Sequence, residues 1–466
     1  MAANSLLKTT GIYFIGNFAS RLLMFFLLPL YTAYLSTSDY GVVDLLMSIL
    51  PLIGPVFTLQ ATESIFRFLF DKKTNAEKKI CISSSLTIML SGFLFFLVLY
   101  FGLGIYQKLM YGMLFAVYFI VSYFGTFAQQ VSRGLGYSNA YAVSGVVSTI
   151  ISAAVNIALI VGAGFGGDAL LIAAIVSSAA VFVFLSTWIR LPKYISVKSV
   201  RKSEIVEQIQ YGAPLIPNQI CWWALSLMGK YVVLIYWGSS ASGVLAFAVI
   251  FPNIITIITQ IFFLAWVESA IRSFQRKESG KYYSDAFRVF LPLVFSIAAV
   301  LIPFVNLYTS LAIGADFQEG VQYVPVLMLA SVFNCFATFL GSVYTAAKKT
   351  SQAFSTTIIA ALVNVIFSFL LIPQFGILGY ALASLLCYVV FFIVRIPSIR
   401  QFIDFSFSYR QLLFGLVFFG VISIASYFVG FFGYAVLFLI SCLVSVFWNR
   451  AFLQMLLKKL SRLCIR

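Results

Sequence analysis

Two lone cations and two acid–base pairs are the residues of this 466-residue chain whose type and spacing can do chemistry. Arg21 and Lys230 lie inside long apolar stretches. A charge there costs ~2.5–3.5 kcal/mol at a helix centre on insertion scales, so each is expected to face an interior cavity. Thr10, Tyr13, Asn17 and Arg21 recur at spacings of three and four and share one helical face, and Gln219, Trp223, Ser226 and Lys230 do the same. Two cations on one cavity would bind an anion, for which a diphosphate is a natural choice. The expected cavity residues are therefore Arg21, Asn17, Lys230, Gln219 and Ser226. The alternative pairs Arg21 with a nearby acid such as Asp44 and sends Lys230 outward to the membrane interface.

Glu63 and Arg67 stand four residues apart, as do Glu268 and Arg272. Each pair can close on its own helix, which is worth ~0.2–0.5 kcal/mol. Recurrence of the motif points instead to a cytoplasmic gate or a substrate entry built from all four.

Other chemistry is excluded by what the chain lacks. There is no histidine, hence no usual general base and no common metal ligand. Gly229-Lys230 and Gly280-Lys281 lack the spacing and hydroxyl of a phosphate-binding loop, and no G-x-S-x-G occurs. The six cysteines stand singly, so neither a disulfide framework nor a zinc site is expected. No cofactor or metal is called for, and a coupling H+ or Na+ stays open.

The elements that must position these residues are membrane helices. The sequence is 62% hydrophobic and 9% charged, against roughly 25% charged in soluble domains. Apolar stretches of bilayer-spanning length fall near 9–31, 41–65, 80–102, 109–131, 140–164, 168–188, 208–237, 241–271, 286–312, 323–347, 353–374, 376–398, 411–431 and 432–456. The fold class is all-α integral membrane with about fourteen transmembrane helices. With the N-terminus placed inside, every lysine and arginine except Arg21, Lys108 and Lys230 falls on the inner side, which fixes the orientation and tests the count. Both termini are then cytoplasmic. The net charge of +16 reports topology, and no nucleic-acid partner is implied.

The chain also resembles itself. Ser38-Asp39-Tyr40-Gly41-Val42 matches Ser240-Ala241-Ser242-Gly243-Val244, Glu63-Ser64-x-x-Arg67 matches Glu268-Ser269-x-x-Arg272, and Val155-Asn156 matches Val363-Asn364, at shifts of 202, 205 and 208. Lobes of six helices each are parallel repeats. The expected division is 1–190 (helices 1–6), a basic cytoplasmic linker over 191–207, 208–400 (helices 7–12), an appended pair over 410–457 and a basic tail over 458–466. Glycine and proline interrupt helices 1, 2, 7 and 8 at Gly16, Pro29, Pro51, Gly54, Pro55, Pro214, Pro217 and Pro252, as in moving or binding elements of transporters.

Asn17-x-x-Ser20-Arg21, Ser38-x-Tyr40-Gly41, Glu63-x-x-x-Arg67-Phe68, and the Val-Asn helix followed by Pro373-x-x-Gly376-x-x-Gly379 resemble Wzx-type polysaccharide flippases of the multidrug/oligosaccharidyl-lipid/polysaccharide exporter superfamily. Gly164-Phe165-Gly166-Gly167 departs from the Pro-x-x-Gly-x-x-Gly pattern. The resemblance implies a two-lobe, V-shaped bundle in a bacterial inner membrane, with a cavity that alternates between the two faces. It further implies an undecaprenyl-diphosphate-linked oligosaccharide as substrate, polymerase and other assembly proteins as partners, and a lipid-tail groove on the appended helices. Two other readings stand beside it: a drug or metabolite exporter of the same superfamily, and a membrane polymerase or ligase. Such an enzyme would need a larger outer loop than this chain offers.

Overall fold

The structure is a computed structural model that describes residues 25–274, 279–347, 349–450 and 454. The chain folds as two compact units, with the boundary between Trp223 and Ala224. Among the described residues there is no strand.

The first unit contains α1 (Phe25–Tyr34), α2 (Thr37–Thr58), α3 (Ala61–Leu69), α4 (Asn75–Gly102), α5 (Ile105–Lys108), α6 (Gly112–Gly134), α7 (Ser138–Ile157), α8 (Asp168–Trp188), α9 (Lys202–Gly212) and the first turns of α10 (Ile216–Phe274). The helix starts follow ordinary capping chemistry. Ser36 accepts the Asp39 N–H at 3.0 Å, and Thr74 and Glu77 form a reciprocal capping box at the head of α4. A phenylalanine cluster fills the core, with Phe96 and Phe119 centroids 4.4 Å apart. It closes because Gly92 lets α4 reach α2: a Cβ there would overlap the Phe57 carbonyl oxygen.

The second unit holds the rest of α10, α11 (Ser279–Ala312), α12 (Ala315–Gln318), α13 (Val324–Ala347), α14 (Thr350–Arg400), α15 (Tyr409–Phe428) and α16 (Phe431–Trp448). α13 packs along α14, while α15 and α16 pack on α11. Gly415 lies against the Phe295 ring, and the Asn449 amide donates to Ser296 at 2.8 Å.

Among the described residues, eleven helical segments are long and apolar enough to cross a membrane. Two of them, Lys202–Gln260 and Ser351–Arg400, reverse at Gly238 (φ 82) and Gly376 (φ 57), positive angles that favour glycine, and so each supplies two crossings. That makes thirteen crossings among the described residues, and the apolar Phe25–Tyr34 helix, too short to cross by itself, lies within the stretch read as helix 1, so the fold agrees with the all-α membrane class of about fourteen helices read from the sequence.

Two features differ from that reading. The segment read as a 191–207 linker is ordered and packs on the first unit. It forms 3₁₀ turns over Leu191–Tyr194 and Val197–Ser199 and then α9. Ser83 and Ser84 of α4 bond the Tyr194 carbonyl and the Ser196 and Arg201 amides. The boundary between the units consequently falls after Trp223, whose indole donates to the Ser48 carbonyl at 3.1 Å. Second, the helix read as 41–65 stops at Thr58, and Glu63 and Arg67 lie on the separate helix α3.

Candidate functional site

The site begins with the break between α2 and α3. Pro51 and Pro55 remove backbone donors from the second half of α2. The helix ends where Leu59 (φ 47) and Gln60 (φ 58) turn left-handed, a conformation that costs a non-glycine residue roughly 1–2 kcal/mol. Neighbours hold the turn in place. The Gln60 N–H donates to the Pro55 carbonyl, the Ser64 hydroxyl donates to the Gln208 carbonyl at 3.0 Å, and Gly212 lies so close that a Cβ on it would overlap the Leu59 carbonyl oxygen.

α9 is anchored beside this turn by a polar knot. Lys72 donates to Glu204 at 2.7 Å, the Gln208 amide donates to Glu204 and to the Cys81 carbonyl, and Ser85 donates to Gln208. Desolvation works against the Lys72 ammonium, but the Glu204 hydrogen bond and charge outweigh it and hold its pKa above the ordinary lysine value.

A cavity of about 450 Å³ opens at the break. Its polar lining is Gln60, Thr62 and Glu63 from the break and α3, Thr126 and Tyr123 from α6, and Asn218 and Gln219 from the start of α10; Leu50, Pro51, Pro55 and Leu215 form its apolar walls. Gln60 and Thr62 are each 5% exposed. Glu63 accepts from Gln130 of α6 at 3.1 Å. Gln130 in turn accepts from Arg133 at 3.0 Å, and the Arg133 guanidinium lies over the Phe66 ring 4.1 Å from its centroid.

The residues singled out in the sequence fare unequally. Gln219 lines this cavity together with Glu63, so one expected cavity residue and one expected gate residue share a site. The local Glu63–Arg67 pair does not form: Arg67 bonds Asp71 one turn on, at 2.6 Å, and Glu63 turns to Gln130. Both residues stay on one exposed face of α3, and each is drawn to a competing partner, Glu63 to Gln130 of α6 and Arg67 to Asp71. Ser226 and Lys230 belong to the second unit. Ser226 lies near the Tyr388 hydroxyl, and Lys230 is buried rather than extended outward, at 6% exposure. Asn17 and Arg21 lie outside the described residues, as do the side chains of Glu268 and Arg272. The α10 backbone departs from helical angles at Gly238, so the Glu268–Arg272 motif does not follow a break like that of α3.

Sequence reasoning missed Gln60, Thr62, Tyr123 and Asn218. The signal for the first two was the Pro51-x-x-Gly54-Pro55 run, which marks where backbone leaves the helix. Tyr123 lies on Gly54, where any Cβ would overlap its ring.

A second cavity, of about 600 Å³, lies inside the first unit between α1, α2, α6, α7 and α8. It is lined by Asp44, Tyr31, Tyr40, Ser152 and Asn156 among others. Asn156 is 3% exposed and its Oδ1 has no hydrogen-bond partner. Its counterpart in the repeat, Asn364, is equally buried and accepts from Ser368 in the second unit. No group of three metal-ligating side chains occurs among the described residues.

The model of a family described as "polysaccharide biosynthesis protein" matches residues 6–271, more than half of the chain. No curated protein sequence gives a significant match. Among solved structures, an inward closed conformation of the lipid II flippase MurJ aligns at TM-score 0.71 and 17% identity, covering 96% of this chain and 99% of that one. An inward-facing multidrug resistance MATE transporter of the MOP superfamily aligns at 0.63 and 14% identity, covering 82% and 95%. An outward-facing MATE transporter aligns at 0.55 and 15%, covering 85% and 94%. At these identities the likeness is one of fold, an all-α bundle of membrane-spanning helices.

Proposed function

We propose that this chain, which belongs to the polysaccharide biosynthesis protein family, flips an undecaprenyl-diphosphate-linked oligosaccharide repeat unit across the bacterial inner membrane by alternating access. The family match over residues 6–271 carries the reading, because it ties a transporter fold to polysaccharide assembly. The end of the first unit that carries Lys72, Lys193 and Lys198 is then cytoplasmic, and the α2–α3 break, beside α9 and the Lys72–Glu204 pair, lies on the side of the leaflet in which the substrate is made. The buried Lys230 suits a role on the diphosphate, to which Arg21 is assigned with it. The reaction is transport, and no covalent step is assigned to the chain.

One observation favours a second reading. Asp44 lines a membrane-embedded cavity, as the carboxylate of an exporter of cationic drugs would. Deletion of the gene separates the two. Loss of surface polysaccharide with cytoplasmic accumulation of lipid-linked oligosaccharide is the expected result. Unchanged polysaccharide with increased sensitivity to cationic dyes would instead establish the exporter.

A further inference from the structure

The cavity at the α2–α3 break holds more hydrogen-bonding capacity than the protein uses. Among the described residues, the side chains of Gln60, Thr62, Asn218 and Gln219 make no hydrogen bond, although Gln60 and Thr62 are nine-tenths buried. Their polar atoms are not sealed from solvent but border the cavity, where an incoming ligand can bond them. Glu63 adds a carboxylate with one oxygen committed to Gln130. Among the described residues no lysine or arginine lines the cavity, so it is not built for a diphosphate. Three amides, a hydroxyl and a carboxylate around the Tyr123 ring form a set matched to neighbouring hydroxyls and to the apolar face of a sugar. The volume, about 450 Å³, lies within the roughly 300–1,000 Å³ range of small-molecule sites.

We propose that this cavity binds a pyranose ring of the oligosaccharide, with Glu63, Asn218 and Gln219 reading its hydroxyls and the left-handed turn at Gln60 holding that amide toward it. Glu63 is then a ligand to sugar rather than half of a local ion pair. The turn supplies the geometry: an unbroken α2 would carry Gln60 and Glu63 on one continuous helical surface, whereas the break sets them on adjoining walls of one cavity. The assignment rests on the flippase reading above, and the test separates the two.

The full chain in nanodiscs is titrated with two lipids: undecaprenyl diphosphate, and the lipid-linked oligosaccharide extracted from the deletion strain. Wild type is expected to bind the sugar-bearing lipid at least tenfold more tightly. Asn218→Ala and Glu63→Gln should each lose most of that difference while retaining the affinity for undecaprenyl diphosphate. Gln219→Ala repeats the measurement if either variant is misfolded by thermal unfolding. Equal affinity of wild type for the two lipids, or variants that keep the full difference, overturns the sugar subsite and leaves the flippase standing. Failure of wild type to bind the sugar-bearing lipid at all overturns the flippase reading itself.

Discussion

At the scale of residues, the groups around the break act as a matched set, and two consequences can be measured. Gln60 holds a left-handed conformation that glycine adopts freely and β-branched residues resist. Gln60→Val is therefore expected to destabilise the first unit by about 1–2 kcal/mol, and Gln60→Gly to leave it unchanged or more stable. Thermal unfolding in detergent reads both, and parallel losses in the two variants would show that the side chain rather than the backbone matters. The Lys72–Glu204 pair is the other case. Glu204 is almost fully buried, so Lys72→Ala leaves its carboxylate without a cation partner while Gln208 still bonds it, and should cost about 1–3 kcal/mol. Folding raises the Lys72 pKa, so the stability it contributes is whole below the unfolded lysine value of ~10.4 and fades as pH rises through the higher folded value. The gap between wild type and Lys72→Ala should thus be constant from neutral pH to about 9 and narrow above that; a gap that stays unchanged through the alkaline range would contradict the pairing.

At the scale of elements, helix existence is legible in the sequence because an apolar run of spanning length has one stable form in a bilayer. The breaks are legible only in part. Gly238 and Gly376 sit in short connections between apolar runs, where glycine signals a reversal. The Leu59–Gln60 turn is signalled only indirectly, by the Pro51-x-x-Gly54-Pro55 run before it, because neither residue itself carries a turn signal and the conformation is imposed by Pro55, Gly212 and the docked α9. This is also why the Glu63–Arg67 spacing misleads: i,i+4 reasoning assumes that the next helix face is empty, whereas Gln130 of α6 competes for Glu63 and Asp71 for Arg67. Close helix approaches depend on individual glycines in the same hidden way. A methyl at Gly92 meets the α2 backbone, while one at Gly420 meets nothing within 4 Å. Gly92→Ala should destabilise by about 1–3 kcal/mol through forced separation of α2 and α4. Gly420→Ala should gain roughly 0.5–1 kcal/mol from helix propensity. Thermal unfolding that shifts both variants in one direction would contradict this packing account.

At the scale of the whole molecule, the membrane class and the crossing number follow from charge and apolar length, which are additive along the sequence. The division into units does not, because it depends on where a polar segment packs. Residues 191–207 read as a cytoplasmic linker between lobes by composition, and serines of α4 and the Lys72–Glu204 pair bind that segment and α9 to the first unit. This packing sharpens the topology prediction. Lys72, Lys193, Lys198 and Arg201 gather at the end of the first unit where α4 begins and α8 ends, while Asp39 and Tyr111 bond each other at 2.8 Å between the opposite ends of its helices. If the basic end is cytoplasmic, a periplasm-dependent phosphatase fused at Ser38, Gly166, Ser239 or Gln318 should be active, and fusions at Lys73, Lys198 and Lys348 should be inactive. The fusion at Lys198 is the most informative, because its neighbours are hydrogen-bonded to α4 and share the side of Lys73 whatever the total number of crossings. Activity at Lys198 with inactivity at Lys73 would contradict the packing of the linker on the first unit. Activity at both would invert the molecule, placing the cavity at the α2–α3 break on the outer face and removing it from the leaflet where a flippase must load.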